Sequence, residues 1–233
     1  MVRTDRPKRE QAILNAALSL FVHYGYDKTT IADIAAKAGV SKGAIYLHFQ
    51  SKTELFNALL LREMEVYGES WLKLIEADPK GGTIGGMYKN MLYALTSSPL
   101  ISALFGQDKK VLGNSLSKLD YQMRATQGQS IRHEFIAMMQ KADAIRQDVD
   151  PQVTAHIMDM LGYGLISMDR FKAEQDIPPL QDIIEGIADL MDRALTPAGG
   201  GNSEAGKVII KQLAETTRHQ FEKLEKEKRS ELT

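Results

Sequence analysis

Between Thr30 and Glu54 helix-capping residues punctuate the chain so closely that one local architecture fits best. Thr30 stands three residues before Asp33 in capping-box spacing, and Ile31, Ile34, Ala35 and Ala38 then repeat with the period of a single helix face. Gly39 ends this helix after barely two turns, because glycine accepts the left-handed conformation that closes a helix. Val40 follows, and Ser41 is a suitable N-cap for a third helix over residues 42–49. A second capping box, Ser51-Lys52-Thr53-Glu54, opens a long helix through Leu55, Leu59, Arg62 and Val66 to about residue 77. Upstream, Ile13, Leu14, Ala17, Leu20 and Phe21 form an apolar stripe over residues 8–24, with Gly25 at the C-terminal cap. Two short helices joined by a Gly-Val-Ser turn and braced by longer ones read as a helix-turn-helix unit.

Helix periods also dominate the remainder, and no stretch alternates apolar and polar residues over strand length with flanking turns. Helices are predicted over residues 84–96, 99–105, 109–123, 127–140, 151–171 and 179–195. Asp150-Pro151 and Pro178-Pro179 mark starts, since a proline in the first turn forfeits no helical hydrogen bond. Residues 196–201, with Pro197 and three consecutive glycines, read as a flexible linker. Beyond it a charged amphipathic helix over residues 203–229 places Ile209, Ile210, Leu213, Phe221 and Leu224 on one side. The expected fold is all-α. It comprises a helix-turn-helix head (1–53), a helical body (54–196), and a linker with an extra C-terminal helix (197–233).

Composition narrows the function. Hydrophobic residues make up 43 % and charged residues 25 % of the 233, which is ordinary for a soluble globular chain. No apolar run approaches the roughly 18 residues of a membrane span, and the N-terminus leads into no signal-like segment, so no membrane partner and a cytoplasmic location are expected. The absence of cysteine removes disulfides, thiolate metal sites and cysteine nucleophiles. His23, His133, His156 and His219 have no metal-ligand spacing, and Asp148 and Asp150 have no nucleophile or phosphate loop beside them. No catalytic residue, metal or cofactor is therefore assigned. The net charge of −1 conceals a split: residues 1–53 carry +4 and the rest −5. Phosphate attraction acts over about 8 to 10 Å, so a basic head can meet a polyanion that an acidic body does not.

The third predicted helix suits a DNA major groove about 12 Å wide. If Val40, Ile45 and Phe49 face the supporting helices, then Lys42, Gly43, Ala44, Tyr46 and His48 turn outward. The segments Phe21-Val22-His23-Tyr24-Gly25, Ile34-Ala35-Ala36-Lys37-Ala38-Gly39-Val40-Ser41 and Ala44-Ile45-Tyr46-Leu47-His48-Phe49, running on into Ser51-Lys52-Thr53-Glu54-Leu55, strongly resemble the tetracycline-repressor (TetR) family of regulators. Residues 8–60 carry almost all of the resemblance. Ile145-Arg146-Gln147-Asp148-Val149-Asp150-Pro151, ahead of an apolar helix, is similar to that family's entry to its dimerisation region. The resemblance implies an all-helical dimer with DNA-binding heads and a divergent body that binds an effector and releases the operator. It also implies that Lys42, Gly43 and Ala44 read bases, and that Tyr46, His48 and Lys52 contact phosphate. Lys42 is suited to guanine O6 or N7, and Ala44 to a thymine methyl. Ser41 and Thr30 join the candidate interface as cap and hydroxyl donor at two helix starts. Arg3, Arg6 and Lys8 form either a minor-groove arm or a solvated terminus.

In the body, methionines recur at Met87, Met91, Met138, Met139, Met158, Met160 and Met168. Such adaptable side chains suit both an apolar pocket and irregular core packing. The candidate pocket is Trp71, Met87, Met91, Phe105 and Met138, for a small apolar or amphipathic effector. Gly162 and Gly164 within one helix point to close approach of another, either a partner's or the chain's own. The helices at 127–140 and 151–171 are accordingly expected to form a four-helix homodimer interface. The tail is expected to wrap a partner, form a coiled coil, lie on a membrane or dock on its own chain. The functional expectation is a homodimeric repressor on a palindromic double-stranded DNA operator. The alternatives are an activator, or a ligand-binding or scaffold protein without DNA binding.

Overall fold

The computed structural model describes residues 5–115, 130–168 and 174–230, with side chains for all of these except 5, 130–132, 174 and 217–230. Among the described residues the regular structure is entirely helical. The helices are α1 (Asp5–Tyr24), α2 (Ile31–Ala38), α3 (Lys42–Tyr46), α4 (Lys52–Ala77), α5 (Ile84–Thr96), α6 (Pro99–Phe105), α7 (Lys109–Leu112), α8 (Ser130–Lys141), α9 (Pro151–Ser167), α10 (Leu180–Leu195) and α11 (Ser203–Ser230), with a 3-10 turn at Glu174–Asp176.

The caps explain why so many boundaries were readable. Thr30 and Asp33 form the reciprocal capping box of α2, and Gly39 closes it in the left-handed region at φ 67°. Such a cap stabilises a helix by about 1 kcal/mol. Asp150 accepts from Gln152 N and Val153 N at the start of α9, with Pro151 in the first turn. The box at Ser51 closes differently: Ser51 Oγ accepts from Glu54 N, but the Glu54 carboxylate accepts from Gln50 N at 2.7 Å. Elsewhere the structure corrects the sequence reading. α1 begins three residues early, which puts Arg6 and Lys8 on a helix rather than an extended arm; Arg3 lies outside the described residues. α3 stops at Tyr46, not 49. α7 ends at Leu112, and residues 116–123 of the helix expected there lie outside the described residues, as do 127–129 and 169–171. Pro179 is the N-cap of α10, not its first-turn residue.

The chain packs as two compact units, one of residues 1–66 with 98–128 and one of residues 67–97 with 129–233. The first is centred on Phe21, Tyr26 and Phe56, whose ring centroids lie 5.0 to 5.5 Å apart. Ile13, Ile34, Ile45, Leu55 and Leu59 complete this core, each at 0 % exposure. The end of α7 packs on the turn after α1: Tyr26 N donates to Val111 O, and the Asp27 carboxylate accepts from Asn114 N.

In the second unit, Ile75, Ile84, Met87, Ile136, Met139, Ala144, Ile145, Ala155 and Ile210 form one buried cluster. The glycine-rich start of α5 lets three helices meet there. A Cβ on Gly85 would lie 2.3 Å from Ala188 O and 2.6 Å from Asp192 Oδ1, because α10 crosses at that point and Asp192 accepts from Gly85 N at 2.9 Å. α11 crosses at Gly82 and Gly206: a Cβ on Gly82 would meet Ser203 O at 1.6 Å, and one on Gly206 would meet Gly82 O at 2.0 Å. Of the outcomes expected for the tail, its first turns dock on their own chain.

Gly162 and Gly164 separate in meaning. The Tyr88 hydroxyl would stand 3.1 Å from a Cβ on Gly162, whereas Gly164 faces open space. A row of exposed apolar side chains runs along α9 beside it, Val153, Ile157, Met160, Leu161 and Tyr163, and Leu180 and Leu190 are exposed on α10. Ile136 and Met139 of α8 are buried inside their own unit, so the uncovered apolar faces belong to α9 and α10.

Gly85→Ala is expected to lower stability by about 1–3 kcal/mol through overpacking against α10. Gly68→Ala, in the interior of α4 with open space around it, is expected to raise stability by about 0.5–1 kcal/mol. Urea midpoints of the two variants, compared with the parent, check both signs.

Candidate nucleic-acid interface

With only five residues, α3 owes its orientation to its caps and its buried side. Ser41 caps it by accepting from Ala44 N at 3.1 Å, while Ile45 at 0 % and Phe49 at 4 % exposure anchor its inner side. The opposite side turns outward. Lys42 and Gly43 are exposed, Tyr46 is 53 % exposed and Ala44 is half-buried. A small, cationic and phenolic surface of this kind can approach base edges closely, and nothing but Ser41 Oγ, at 3.8 Å, lies near a Cβ built on Gly43. Leu47 is the most exposed large apolar residue here, at 74 %, and is not among the candidate contacts read from the sequence. Its position midway between Ile45 and Phe49 was the available signal, since residues four apart on the buried side leave the intervening one outward.

Three candidates prove to be engaged within the protein. The His48 ring does not turn outward as expected: its side chain is 3 % exposed, and Nδ1 lies 3.4 Å from Glu10 Oε2 of α1. The Lys52 ammonium donates to Tyr26 O at 2.9 Å and Thr29 O at 3.0 Å, and sits 4.2 Å from the centre of the Tyr26 ring. It thereby ties the start of α4 to the turn that carries α2. The Thr30 hydroxyl donates to Asp33 Oδ2 at 2.6 Å. The Thr30 side chain, then its backbone N–H, holds the Asp33 carboxyl below its ordinary value, so this contribution is present above the unfolded carboxyl pKa and is lost as pH falls through the lowered one.

A further brace joins α1 and α4. Arg62 donates from Nε and Nη2 to Glu63 Oε1, and from Nη1 to Asn15 Oδ1 at 2.7 Å and Gln11 Oε1 at 3.2 Å. The fork of the guanidinium satisfies the nearly buried Glu63 carboxylate and fixes one crossing of the two helices.

Of the five candidate effector residues, Trp71 and Met87 meet in the second unit. Trp71 Nε1 donates to Met87 O at 3.1 Å, and both side chains belong to the packed cluster of the second unit. Met91 and Met138 are half-buried on α5 and α8, and Phe105 ends α6 in the first unit. The carboxylates weighed for acid–base work are structural: Asp150 caps α9, and Asp148 takes both ends of the Arg146 guanidinium.

Residues 13–59 match the model for bacterial regulatory proteins of the tetR family. Over 80 residues the chain is 40 % identical to a probable acrEF/envCD operon repressor of Escherichia coli, covering 33 % of this chain and 36 % of that relative, so it spans little more than a third of the relative's length. A transcriptional repressor of the helix-turn-helix type from Mycobacterium tuberculosis is 24 % identical over 186 residues, covering 80 % of this chain and 94 % of the relative. Among solved structures, the transcriptional regulator FadR of Bacillus subtilis, in complex with stearoyl-CoA, shares the fold with a TM-score of 0.58 at 16 % identity, covering 78 % of this chain and 96 % of that one. With the helix-turn-helix geometry of α2 and α3 and the match running into α4's first turns, residues 13–59 are similar to the N-terminal region of bacterial regulatory proteins of the tetR family.

Proposed function

We propose that the protein is a homodimeric repressor that reads a palindromic operator through α3 and is released by a small apolar or amphipathic effector. The observation that carries the reading is the two-sidedness of α3: Ile45 and Phe49 are buried, while Lys42, Gly43 and Tyr46 face outward. Lys42, with Gly43 and Ala44 beside it, reads base edges; Tyr46 donates to a phosphate oxygen. His48 and Lys52 act differently from Tyr46. Their engaged side chains fix α3 against α1 and α4 against the α2 turn, so they position the reading surface.

The dimer is supported by the uncovered face of α9. Val153, Ile157, Met160 and Leu161 recur at the spacing of one helix side, and Gly164 continues it with open space. Apolar surface of this extent calls for a cover, and a second copy supplies a matching one. Two copies then present two α3 helices to half-sites roughly 34 to 36 Å apart on one face of the duplex. Effector release follows if the ligand binds the DNA-incompetent state more tightly than the competent one. The Bacillus subtilis regulator of the same fold holds an acyl thioester, and the methionine-rich body here suits a ligand with an apolar chain.

Selection of genomic fragments by the purified protein at two salt concentrations tests the reading. A shared palindrome is expected, with affinity falling as salt rises. Tyr46→Ala should weaken all sites alike, and Lys42→Ala should relax the motif at one position by about 1–3 kcal/mol of discrimination. No enriched sequence, with both variants matching the parent, would overturn it. Lys52→Met is expected to lower thermal stability by about 1–2 kcal/mol while leaving the salt slope of operator binding unchanged, where a lost phosphate contact would reduce that slope by about 0.9. Ile157→Glu should sediment as a folded monomer at micromolar concentration and lose operator binding.

A further inference from the structure

We infer that the first turns of α11 are a removable cover over the apolar cluster of the second unit, and that an apolar chain gains that cluster by displacing them. This deepens the effector reading given above and rests on it. The cover meets the cluster through Gly206, Ile209 and Ile210. Ile210 is buried to 2 % exposure among Ile75, Met87, Met139 and Ile145, and Gly206 lies so close that a Cβ there would stand 2.7 Å from Met87 Cε. Beneath Met87 lies Trp71, which donates to the Met87 carbonyl.

The attachment is narrow for a helix. Between Ser203 and Thr216 only Gly206 and Ile210 are buried, and Val208 is 53 % exposed. Polar ties are few and peripheral: Ser203 Oγ accepts from Gly82 N at 3.1 Å and donates to Pro79 O, and Lys211 pairs with Glu76 at 2.8 Å in a half-exposed ion pair. Immediately before the helix lie Gly199, Gly200 and Gly201, with Gly200 at φ 87°. A segment with few buried contacts and a glycine hinge opens at the low end of the local stability scale.

What such opening uncovers is suited to one ligand class. The exposed floor would be the thioethers of Met87 and Met139, the Trp71 ring and aliphatic side chains, without a charged group among the cluster residues. Methionine side chains re-pack around irregular apolar matter, and Ile210 already shows that one branched aliphatic group fits. The ligand is therefore an unbranched or sparsely branched hydrocarbon chain, with any polar head left at the rim where α11 had been.

Trp71 is the sole tryptophan of the chain, so its emission reports this cluster directly. A dibrominated C18 fatty acid, whose bromines quench indole on contact, is titrated into the full chain and into Gly206→Val, whose side chain cannot fit against Gly82. If the open state is populated at 0.1–10 %, freeing the helix should tighten apparent affinity by roughly ten- to a thousandfold. Lys211→Glu, which places like charges at Glu76 without touching the core, should shift affinity in the same direction, and adding Glu76→Lys should reverse it. Hydrogen exchange of the parent chain should show residues 203–213 losing protection on binding. Equal affinities with residues 203–213 still protected would overturn the cover and leave an effector that enters elsewhere. Absence of Trp71 quenching in every variant would also overturn it, and release of operator DNA by the same acid would then show whether the effector reading survives.

Discussion

A helix of five residues cannot stand on its own hydrogen bonds, because fixing the first turn costs more than its single bond returns. α3 is therefore held from outside. Ile45 and Phe49 are buried against neighbouring helices, Ser41 caps one end, and His48 turns back toward Glu10 at the other. Each of these determines which atoms remain outward, so the chemistry of the outer surface depends on how the inner side is packed. The Lys52 ammonium extends the same constraint to α4: two carbonyls of the α1–α2 turn share one cation, and the Tyr26 ring beneath it joins the aromatic centre with Phe21 and Phe56. The surface proposed to read sequence is, in this way, the exposed remainder of a tightly constrained interior.

The second unit is arranged by backbone proximity more than by side-chain bulk. At Gly82 and Gly85 the start of α5 brings α11 and α10 to within backbone contact, and Asp192 satisfies an N–H that a helix start would otherwise leave open. Larger residues at these positions would separate the layers and widen the voids between them, which close-packed interiors do not tolerate well. The apolar cluster is consequently filled by methionine, isoleucine and alanine rather than hollow.

Much of this was legible in the sequence because caps are local. Thr30 with Asp33, Gly39, Ser41 and Asp150 each fix a boundary through contacts within four residues, and the structure places them as read. The partners of His48 and Lys52 lie 38 and 23 to 26 residues away, so no local pattern distinguishes a charge facing DNA from one facing a carbonyl. Leu47 is recoverable from helical geometry, since it lies midway between the buried Ile45 and Phe49. The body was harder to read. The apolar stripes of α8 and α9 look alike in sequence, yet one is covered by its own chain and the other is open, and periodicity carries no record of what lies opposite.

The crossing of α11 over α5 joins Gly82 to Ser203 across 121 positions of chain. Contacts of such separation demand loop closure before they return any free energy, so they form after the local helical pairs. The rest of the second unit must then assemble with Met87 and its neighbours still uncovered, and the nascent chain exposes that surface until the last helix is made. Interactions absent from the folding transition state govern how fast a protein unfolds rather than how fast it folds. The glycine crossing thus acts chiefly on the lifetime of the native state: it leaves the rate of assembly to local pairs such as α8 with α9 and sets the persistence of what they build.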